Sequence, residues 1–496
     1  MAKVRIVLYL YLLLFAAVTL AQQPAQPVRL ELPFDKTATV AEVLALPDSA
    51  LLLYHKTSNA WNTKATFYFT KYNHKLEEVW STTAELPPRY DYIRHYNEAP
   101  YTYLIFSGEI PEQYIITRTN ISNGITEVKK YELKDIETIH EFNVLQGNYF
   151  LIGRDRFSQK PLLLHLKPSD DKPKQLPSVY GDESTFSDML ADLENERLDV
   201  VLTESNGRVS RLQVKSFTAE GELISNHFIL QQNNMSLLNA EITPGDSAQK
   251  MLLGTYGTRD LRFTSGFFST PVTSVYSSGD FYSVLQFKNF LKYMKPRREE
   301  RTRKREAERL RLGKEPQYRF RILLHDLITT PTGYVLAGEA YYPQYRSNSN
   351  QYNIDRLGQR QAFMQQSDGY KRTHAIAMGF DKQGNLLWDN AFPLKDVSSM
   401  ELVHTVEVAR ARDGRVIMAY PEKDEVIYHI MHEDKYDDKA HRLQIMTYNE
   451  SEKAQLTEYP GIIKWFDNNF VAFGFQRIKP SRGEARNVFY LNKISF

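Results

Sequence analysis

A short segment that begins with an aromatic residue, continues through a tight turn and ends in apolar residues occurs three times in this chain. The copies align with one another without insertions. Two copies end in tryptophan, at residues 72–80 (YNHKLEEVW) and 380–388 (FDKQGNLLW), and a third copy, at 217–224 (FTAEGELI), lacks only the tryptophan. Each copy predicts two strands joined by a tight turn. Hairpins repeated over 496 residues indicate an array of small sheets, and arrays of this size usually close into a ring.

Eight short apolar runs recur beside these hairpins, and several of them end in glycine. They are too short for buried helices, and we interpret them as the buried inner strands of the array. Five of the seven intervals between successive runs are near 50 residues, about the length of one four-stranded propeller blade. The runs are centred on Leu52, Leu104, Leu151, Val201, Leu252, Val335, Ile417 and Val471.

Eight runs predict an all-β protein with seven or eight propeller blades. We expect one terminus to complete a blade begun by the other, with residues 28–32 pairing with residues 488–494. Such closure would remove the free sheet edges. Two separate sandwiches or an open solenoid remain the alternatives.

The hairpin at residues 381–388 resembles those of exported bacterial β-propeller repeat proteins with degenerate kelch- or WD-like blades. The resemblance covers most of residues 30–496 at the level of period and hairpin, and it lacks the Gly-His and Trp-Asp signature of WD40 blades. It implies the propeller fold. It implies no particular activity, because propellers serve as binding proteins and as enzymes.

The N-terminus has the pattern of a secretory signal. Lys3 and Arg5 precede an apolar run at residues 6–20, and small residues near Ala21 suit a signal peptidase. We therefore predict a signal peptide at residues 1–21 and a single propeller domain at 22–496, exported to the periplasm, the cell surface or the medium, with no transmembrane segment after cleavage. An uncleaved N-terminal anchor is the alternative. The chain has no cysteine, which excludes disulfides and thiolate chemistry.

The first of two period-breaking insertions, at about 281–320, concentrates positive charge in a chain whose net charge is only +2. Residues 288–314 hold 12 Lys or Arg against 4 Glu, a local net charge of +8. The apolar residues of 287–294 have helical spacing, and 297–312 predicts a charged helix that Gly313 caps. We expect this helix either to dock on an anionic partner or to be a solvated decoration. The candidate docking residues are Arg297, Arg298, Arg301, Arg303, Lys304, Arg305, Arg309 and Arg311.

The second insertion, at about 341–372, is a Tyr-rich loop with many Asn, Gln and Arg residues and few aliphatic ones. Tyr supplies a large amphipathic face, and this composition suits recognition of protein or sugar. The alternative is a loop that folds over its own ring. The candidate contact residues are Tyr341, Tyr342, Tyr345 and Tyr352.

Signatures of catalysis and of metal binding are missing from the sequence. The cluster at residues 429–441 contains His and Asp, but its His-x-x-His-Glu spacing is not that of a zinc peptidase, and we expect a polar hairpin. Glycoside hydrolysis needs two carboxylates at the channel mouth. The inner runs are nearly free of acids apart from Asp199 and Glu204, which argues against catalysis.

The sequence therefore favours a non-catalytic binding or scaffold propeller of the cell envelope, without a cofactor, metal or catalytic residue. Its expected partner is an envelope protein or an anionic glycan or lipid surface, and not a nucleic acid, because the signal directs the chain elsewhere. The alternative is a carbohydrate-active enzyme, a glycoside hydrolase or lyase, with its site at the channel mouth. The oligomeric state is left open.

Overall fold

The computed structural model describes most of the chain beyond residue 22. The described residues are 23–34, 36, 39–57, 65–178, 183–230, 235–258, 260–273, 279–314, 318–346, 353–354, 360–361, 366–437, 439–449 and 451–496. The predicted signal peptide at 1–21 and Tyr352 lie outside them. No helix in these ranges is long and apolar enough to cross a membrane.

In the described ranges the strands form eight antiparallel blades, so the chain is an all-β, eight-bladed propeller. The first strand, β1 (Arg29–Leu32), belongs to the last blade. Blade 1 contains β2 (Thr39–Ala45), β3 (Leu51–Thr57), β4 (Ala65–Tyr72) and β5 (Glu78–Leu86). Blade 2 contains β6 (Tyr90–Glu98), β7 (Tyr101–Gly108), β8 (Gln113–Asn120) and β9 (Thr126–Glu132). Blade 3 contains β10 (Ile136–Leu145), β11 (Asn148–Asp155), β12 (Pro161–Leu166) and β13 (Lys174–Gln175).

The next two blades follow the same order. Blade 4 contains β14 (Thr185–Asp192), β15 (Arg197–Ser205), β16 (Ser210–Thr218) and β17 (Leu223–Ile229). Blade 5 contains β18 (Ser236–Ile242), β19 (Met251–Gly257), β20 (Gly266–Pro271) and β21 (Asp280–Ser283), with a 3-10 turn at Ser247–Gln249. The helix α1 (Pro296–Arg311) then precedes blade 6.

Blade 6 is the enlarged one. It contains β22 (Arg321–Leu324), β23 (Ile328–Thr330), β24 (Gly333–Arg346), β27 (Gln366–Asp381), β28 (Leu386–Pro393) and β29 (Ser398–Ser399), and the short pair β25 (Asn353–Ile354) and β26 (Arg360–Gln361) forms a separate ladder. Blade 7 contains β30 (Glu407–Arg410), β31 (Val416–Glu422), β32 (Glu425–Met431) and β33 (His441–Gln444). Blade 8 contains β34 (Lys453–Lys464), β35 (Asn469–Lys479) and β36 (Arg486–Ser495).

The ring closes as expected, because β1 pairs antiparallel with β36 and supplies the fourth strand of blade 8. The Trp465 indole of blade 8 also donates to the carbonyl of Ala50 in blade 1 at 3.0 Å. Apolar clusters fill the space between blades, and among the described residues there is one for each pair of neighbours around the ring. The core of the protein is therefore this set of seams between blades.

The apolar runs are not the innermost strands, and this expectation was wrong. In every blade the run is the second strand, such as β3, β7 and β11, and the innermost strand is the one before it. A second strand has a neighbour on both edges and a blade on both faces, so it can be apolar throughout. The innermost strand faces the channel and can carry polar residues.

The two acids that the sequence placed on inner runs are structural. Asp199 of β15 is fully buried and pairs with the buried Lys250 of the next blade. Glu204 pairs with Arg211 across the β15–β16 ladder at 2.7 Å. Neither carboxylate reaches the channel mouth.

The first insertion is partly helical, as expected, and α1 ends where Gly313 takes a φ of 65°. The predicted helix at 287–294 is wrong, because these residues form successive turns. The Asp389 carboxylate of β28 accepts the backbone N–H groups of Lys288 and Asn289 at 2.8 and 2.7 Å, which attaches the segment to blade 6. Its apolar side chains instead fill the seam between blades 5 and 6.

The second insertion is less of a loop than expected. The hairpin of β24 and β27 continues beyond β22, with Tyr345 opposite Ser367 and Arg346 opposite Gln366. We call residues 342–346 and 366–371 the Tyr ribbon. In an antiparallel meander, connections after the second and fourth strands of a blade lie on one face of the ring, so α1 and the Tyr ribbon extend from the same face. We call it the insertion face.

Gly124 provides a test of how one seam is packed. Its φ is +74°, and a Cβ there would lie 2.6 Å from the ring of Trp80, whose indole donates to the Ile121 carbonyl of the next blade at 3.0 Å. Gly147 has the same φ and no atom within 4 Å of the added Cβ. Ala at either site costs about 1 kcal/mol for the left-handed backbone. We expect Gly124→Ala to lose roughly 1–3 kcal/mol more than Gly147→Ala in urea unfolding, and equal losses would show that Trp80 moves freely.

Candidate functional site

The channel opens on the insertion face into a cavity of about 530 Å³. Its wall is built from the innermost strands of blades 2 to 6 and from the connections at that face, including the β11–β12 loop and residues 402–404. This volume lies within the usual range for small-molecule sites in proteins. We call it the mouth cavity.

A β-bulge recurs in the innermost strands of blades 2 to 5, at the level of this cavity. The residues paired directly after each bulge are Arg94, Glu141, Asp188 and Asn239, and all four line the cavity. A bulge bends the strand and changes the direction of the next side chain. A bulge in each of four consecutive blades thus places one polar side chain at the wall of the cavity.

Four carboxylates from four blades meet in the mouth cavity. They are Glu141 of blade 3, Asp188 of blade 4, Glu241 of blade 5 and Asp326 of blade 6. Burial raises the pKa of Glu241 well above its ordinary value, and the charges of the other three carboxylates raise it further. Burial also raises the pKa of Asp188 to about 7, although the backbone N–H of Ile242 opposes the shift by donating at 2.8 Å. We call these four residues the acidic sector.

Basic groups occupy the blade 2 and blade 3 side of the same cavity. Arg94 lies 3.6 Å from Glu141, and its charge offsets part of the rise that burial causes in the pKa of Glu141. Burial, with the charges of Arg154 and Arg94, lowers the pKa of His140. The cavity therefore has a cationic wall and an acidic wall.

A fifth carboxylate, that of Glu339, lies behind the cavity and forms hydrogen bonds and an ion pair that are structural. It accepts hydrogen bonds from His325, from Thr405 by both backbone and hydroxyl, and from the backbone of Val406, and it pairs with the buried Arg372 at 3.2 Å. Burial alone would raise its pKa, but the hydrogen bond and charge of His325, together with Thr405 and Val406, hold that pKa at about 2. Arg372 also donates to Ser399 and Val403, so this pair fixes the 398–406 segment that forms one rim of the mouth cavity.

The eight basic candidates on α1 divide into two groups. Arg303, Arg305, Arg309 and Arg311 pair with glutamates of the same helix, and Arg303 also donates to the carbonyls of Leu285 and Phe287. These four therefore hold the helix together or hold it to the ring. In the described part of the chain, the side chains of the other four are exposed and have no hydrogen bond or ion pair: Arg297, Arg298, Arg301 and Lys304.

The tyrosine candidates also separate. Tyr341 is half-buried and packs edge-on against Tyr370, with ring centroids 5.8 Å apart. Tyr342 and Tyr345 are exposed on the Tyr ribbon, at 42% and 52% of their full surface. None of the three lines the mouth cavity.

The His and Asp cluster at 429–441 forms no metal centre in the described ranges, where no three His, Asp or Glu side chains are arranged to hold an ion. His429 is buried, stacks on Phe392 and contacts the carbonyl of Lys439 at 3.1 Å. His429 is therefore a buried residue of β32 and not part of a polar hairpin tip.

Sequence reasoning missed the acidic sector because it assigned the wrong strand to the channel. The signal was present as a polar residue in the strand before three of the apolar runs: Glu141, Asp188 and Glu241. The argument that the channel strands lack acids is therefore wrong.

No protein-family model matches the chain, and no curated protein is similar to it in sequence. Solved structures match at the level of fold. A polysaccharide lyase, Uly1, has a TM-score of 0.42 and 11% identity over 81% of this chain and 89% of its own. The β-propeller domain of the Trilobed protease from Pyrococcus furiosus has a TM-score of 0.36 and 8% identity over 84% of this chain and 98% of its own. A prolyl endopeptidase has a TM-score of 0.38 and 11% identity, and the match covers 80% of this chain and 47% of the endopeptidase.

The raised pKa of Asp188 predicts a pH-dependent stability. In the folded protein this carboxyl keeps its proton to about pH 7, whereas the unfolded one loses it near 3.8, so wild type loses stability as the pH rises between these values. The amide that replaces it in Asp188→Asn stays neutral throughout. The melting temperature of Asp188→Asn should therefore rise relative to wild type from pH 4 to pH 8. Asp280→Asn, at an exposed position, is the control for the substitution itself, and a melting-temperature difference between Asp188→Asn and wild type that does not change with pH would contradict the assignment.

Proposed function

We propose that this protein is a non-catalytic binding propeller of the cell envelope or cell exterior that holds an anionic glycan on its insertion face. The observation that carries the proposal is the set of four exposed, unpaired cations on α1: Arg297, Arg298, Arg301 and Lys304. Export remains part of the proposal and rests on the signal-like N-terminus.

The arrangement of these cations suits a linear polyanion. Arg297, Arg301 and Lys304 are spaced i, i+4 and i+7, so they form a row along one helix face that is roughly 10 Å long. A polymer with regularly placed carboxylates or sulfates can contact several of them at once. Arg303, Arg305 and Arg309 are paired with Glu299 and Glu306. The four unpaired cations, together with the exposed Glu300 that lies among them, therefore set the charge that a partner meets.

The Tyr ribbon favours a glycan over a bare lipid surface as the partner. Tyr342 and Tyr345 extend from the insertion face with exposed rings, and aromatic faces stack on the apolar faces of sugar rings. The start of β22, which directly follows the α1 insertion, pairs with the base of the ribbon through Arg321 and Tyr341. Cations and aromatic rings are thus available on neighbouring parts of one face.

The alternative of a carbohydrate-active enzyme at the channel mouth has one specific observation in its favour. The acidic sector supplies several carboxylates whose charges interact, and the raised pKa of Asp188 and Glu241 would let one of them act as a general acid beside an ionised neighbour. Among the described residues that line the cavity, Phe186 is the one Phe, Tyr or Trp, which leaves little platform for a sugar. Release of reducing sugar from neutral or acidic polysaccharides, abolished by Asp188→Asn, would establish this alternative.

The binding proposal predicts the effect of removing the four free cations. In a variant with Arg297, Arg298, Arg301 and Lys304 all changed to Gln, we expect the apparent affinity for polygalacturonate to fall about tenfold or more, since exposed ion pairs contribute up to ~1 kcal/mol each. The melting temperature should change little, because these side chains are exposed and form no hydrogen bond or ion pair within the described part of the chain. Binding should weaken with added salt in wild type.

A matched control removes the same charge elsewhere. Four exposed lysines lie in outer turns or strands away from the insertion face: Lys75, Lys130, Lys172 and Lys382. A variant with all four changed to Gln should bind polygalacturonate as wild type does. Equal losses in the two variants would show general attraction and overturn the helix as the site. Tighter binding of anionic vesicles than of polygalacturonate would reassign the surface to lipid.

A further inference from the structure

We infer that the acidic sector of the mouth cavity is a second binding site, for a small organic polyamine. It is separate from the glycan surface of α1 and would take a ligand of opposite charge. Three observations on the described residues support the assignment: the carboxylates have few ionic partners, a buried hydroxyl in the wall has no hydrogen bond, and the cavity is large enough for an extended ligand.

The carboxylates of the acidic sector exceed the cations that neutralise them. Arg94 lies 3.6 Å from Glu141 and forms an ion pair with it. The Asp188 carboxylate accepts the backbone N–H of Ile242. Glu241 is only 7% exposed, and in the described part of the chain its side chain has no hydrogen bond or ion pair. Asp326 is exposed and lines the cavity, and its side chain likewise has no hydrogen bond or ion pair within the described residues. A buried carboxylate without a partner is unfavourable, so a cationic ligand would gain from supplying one.

An independent group in the wall also lacks a partner. Ser184 is 5% exposed and lines the same cavity, and within the described part of the chain its hydroxyl has no hydrogen bond. Buried hydroxyls are almost always hydrogen-bonded in native proteins. A ligand N–H donor in the mouth cavity would satisfy this oxygen.

The geometry favours an extended amine. The carboxylates come from four different blades around the channel, and in the described part of the chain no three of them are arranged to hold one ion, so a chain with two or three ammonium groups suits them better than a single ammonium. An alkylammonium donates three hydrogen bonds and matches carboxylate acceptors. A cavity of about 530 Å³ has room for such a chain, and Phe186 and Leu323 provide apolar wall for its methylenes.

Binding should also release protons near neutral pH, because an ammonium beside Asp188 and Glu241 favours their ionised forms. The pKa values of both carboxyls are raised by burial in the free protein. The other charged and titratable groups that line the cavity are Glu141, Asp326, Arg94, Arg154, Lys160, His140 and His404.

The test is calorimetric titration of the whole protein with spermidine at low ionic strength and pH 7, in two buffers of different ionisation enthalpy. We expect saturable binding with proton release in wild type, and a loss of affinity of at least about tenfold in Glu241→Gln and in Asp188→Asn. Ser184→Ala should weaken binding without changing the charge. Melting curves of each variant establish that it folds.

The control variant removes two exposed carboxylates on turns of blade 4 that lie on the opposite face of the ring. Glu194→Gln with Glu220→Gln should bind spermidine as wild type does. Absence of saturable binding in wild type, or equal losses in the control and the acidic-sector variants, would overturn the inference. Tighter binding of trilysine than of spermidine would overturn the assignment to a free amine.

Discussion

Closure of the ring by β1 is the constraint on which the rest of the structure depends. Each blade buries both faces against neighbours, so an open ring would leave two apolar faces in water. The β1–β36 ladder, the Trp465 indole on the Ala50 carbonyl and the apolar seam between blades 8 and 1 remove both faces together. Only a closed ring turns eight innermost strands toward one channel, and the acidic sector exists because of that convergence.

Closure alone does not determine what the channel presents at its mouth. The bulges in blades 2 to 5 do so, because each one turns the following side chain toward the cavity at a similar height. Arg94, Glu141, Asp188 and Asn239 belong to four different strands, yet all four line the same cavity. The buried pair of Glu339 and Arg372 then holds the rim segment in place, which leaves that pair no capacity for a ligand.

The two insertions extend from one face of the ring, and all eight blades of the ring are retained. Residues 287–294 lie in turns, Asp389 accepts the backbone N–H groups of Lys288 and Asn289, and the aromatic rings of the segment fill the seam between blades 5 and 6. That anchoring places α1 on the insertion face. The helix then neutralises its inner arginines with Glu299 and Glu306, and presents an outer row that has no partners in the described part of the chain. The resulting face combines an outward cationic row and a cavity with an acidic wall, which explains why we assign two ligands of opposite charge.

The sequence by itself determined the fold class, the period near 50 residues, the pairing of the N-terminal strand with the C-terminal blade, and a charged helix ending at Gly313. These follow from local patterns, since turn residues, strand propensity and repeat length act within a few tens of residues. It could not determine which strand of each blade faces the channel, because an apolar run suits any strand that is covered on both sides. It also could not separate Arg297, Arg298, Arg301 and Lys304 from the paired arginines of the same helix. The first distinction depends on how strands far apart in sequence are brought together around one channel. The second depends on which arginines of the folded helix reach Glu299, Glu306 and Glu308, and only the three-dimensional structure decided both.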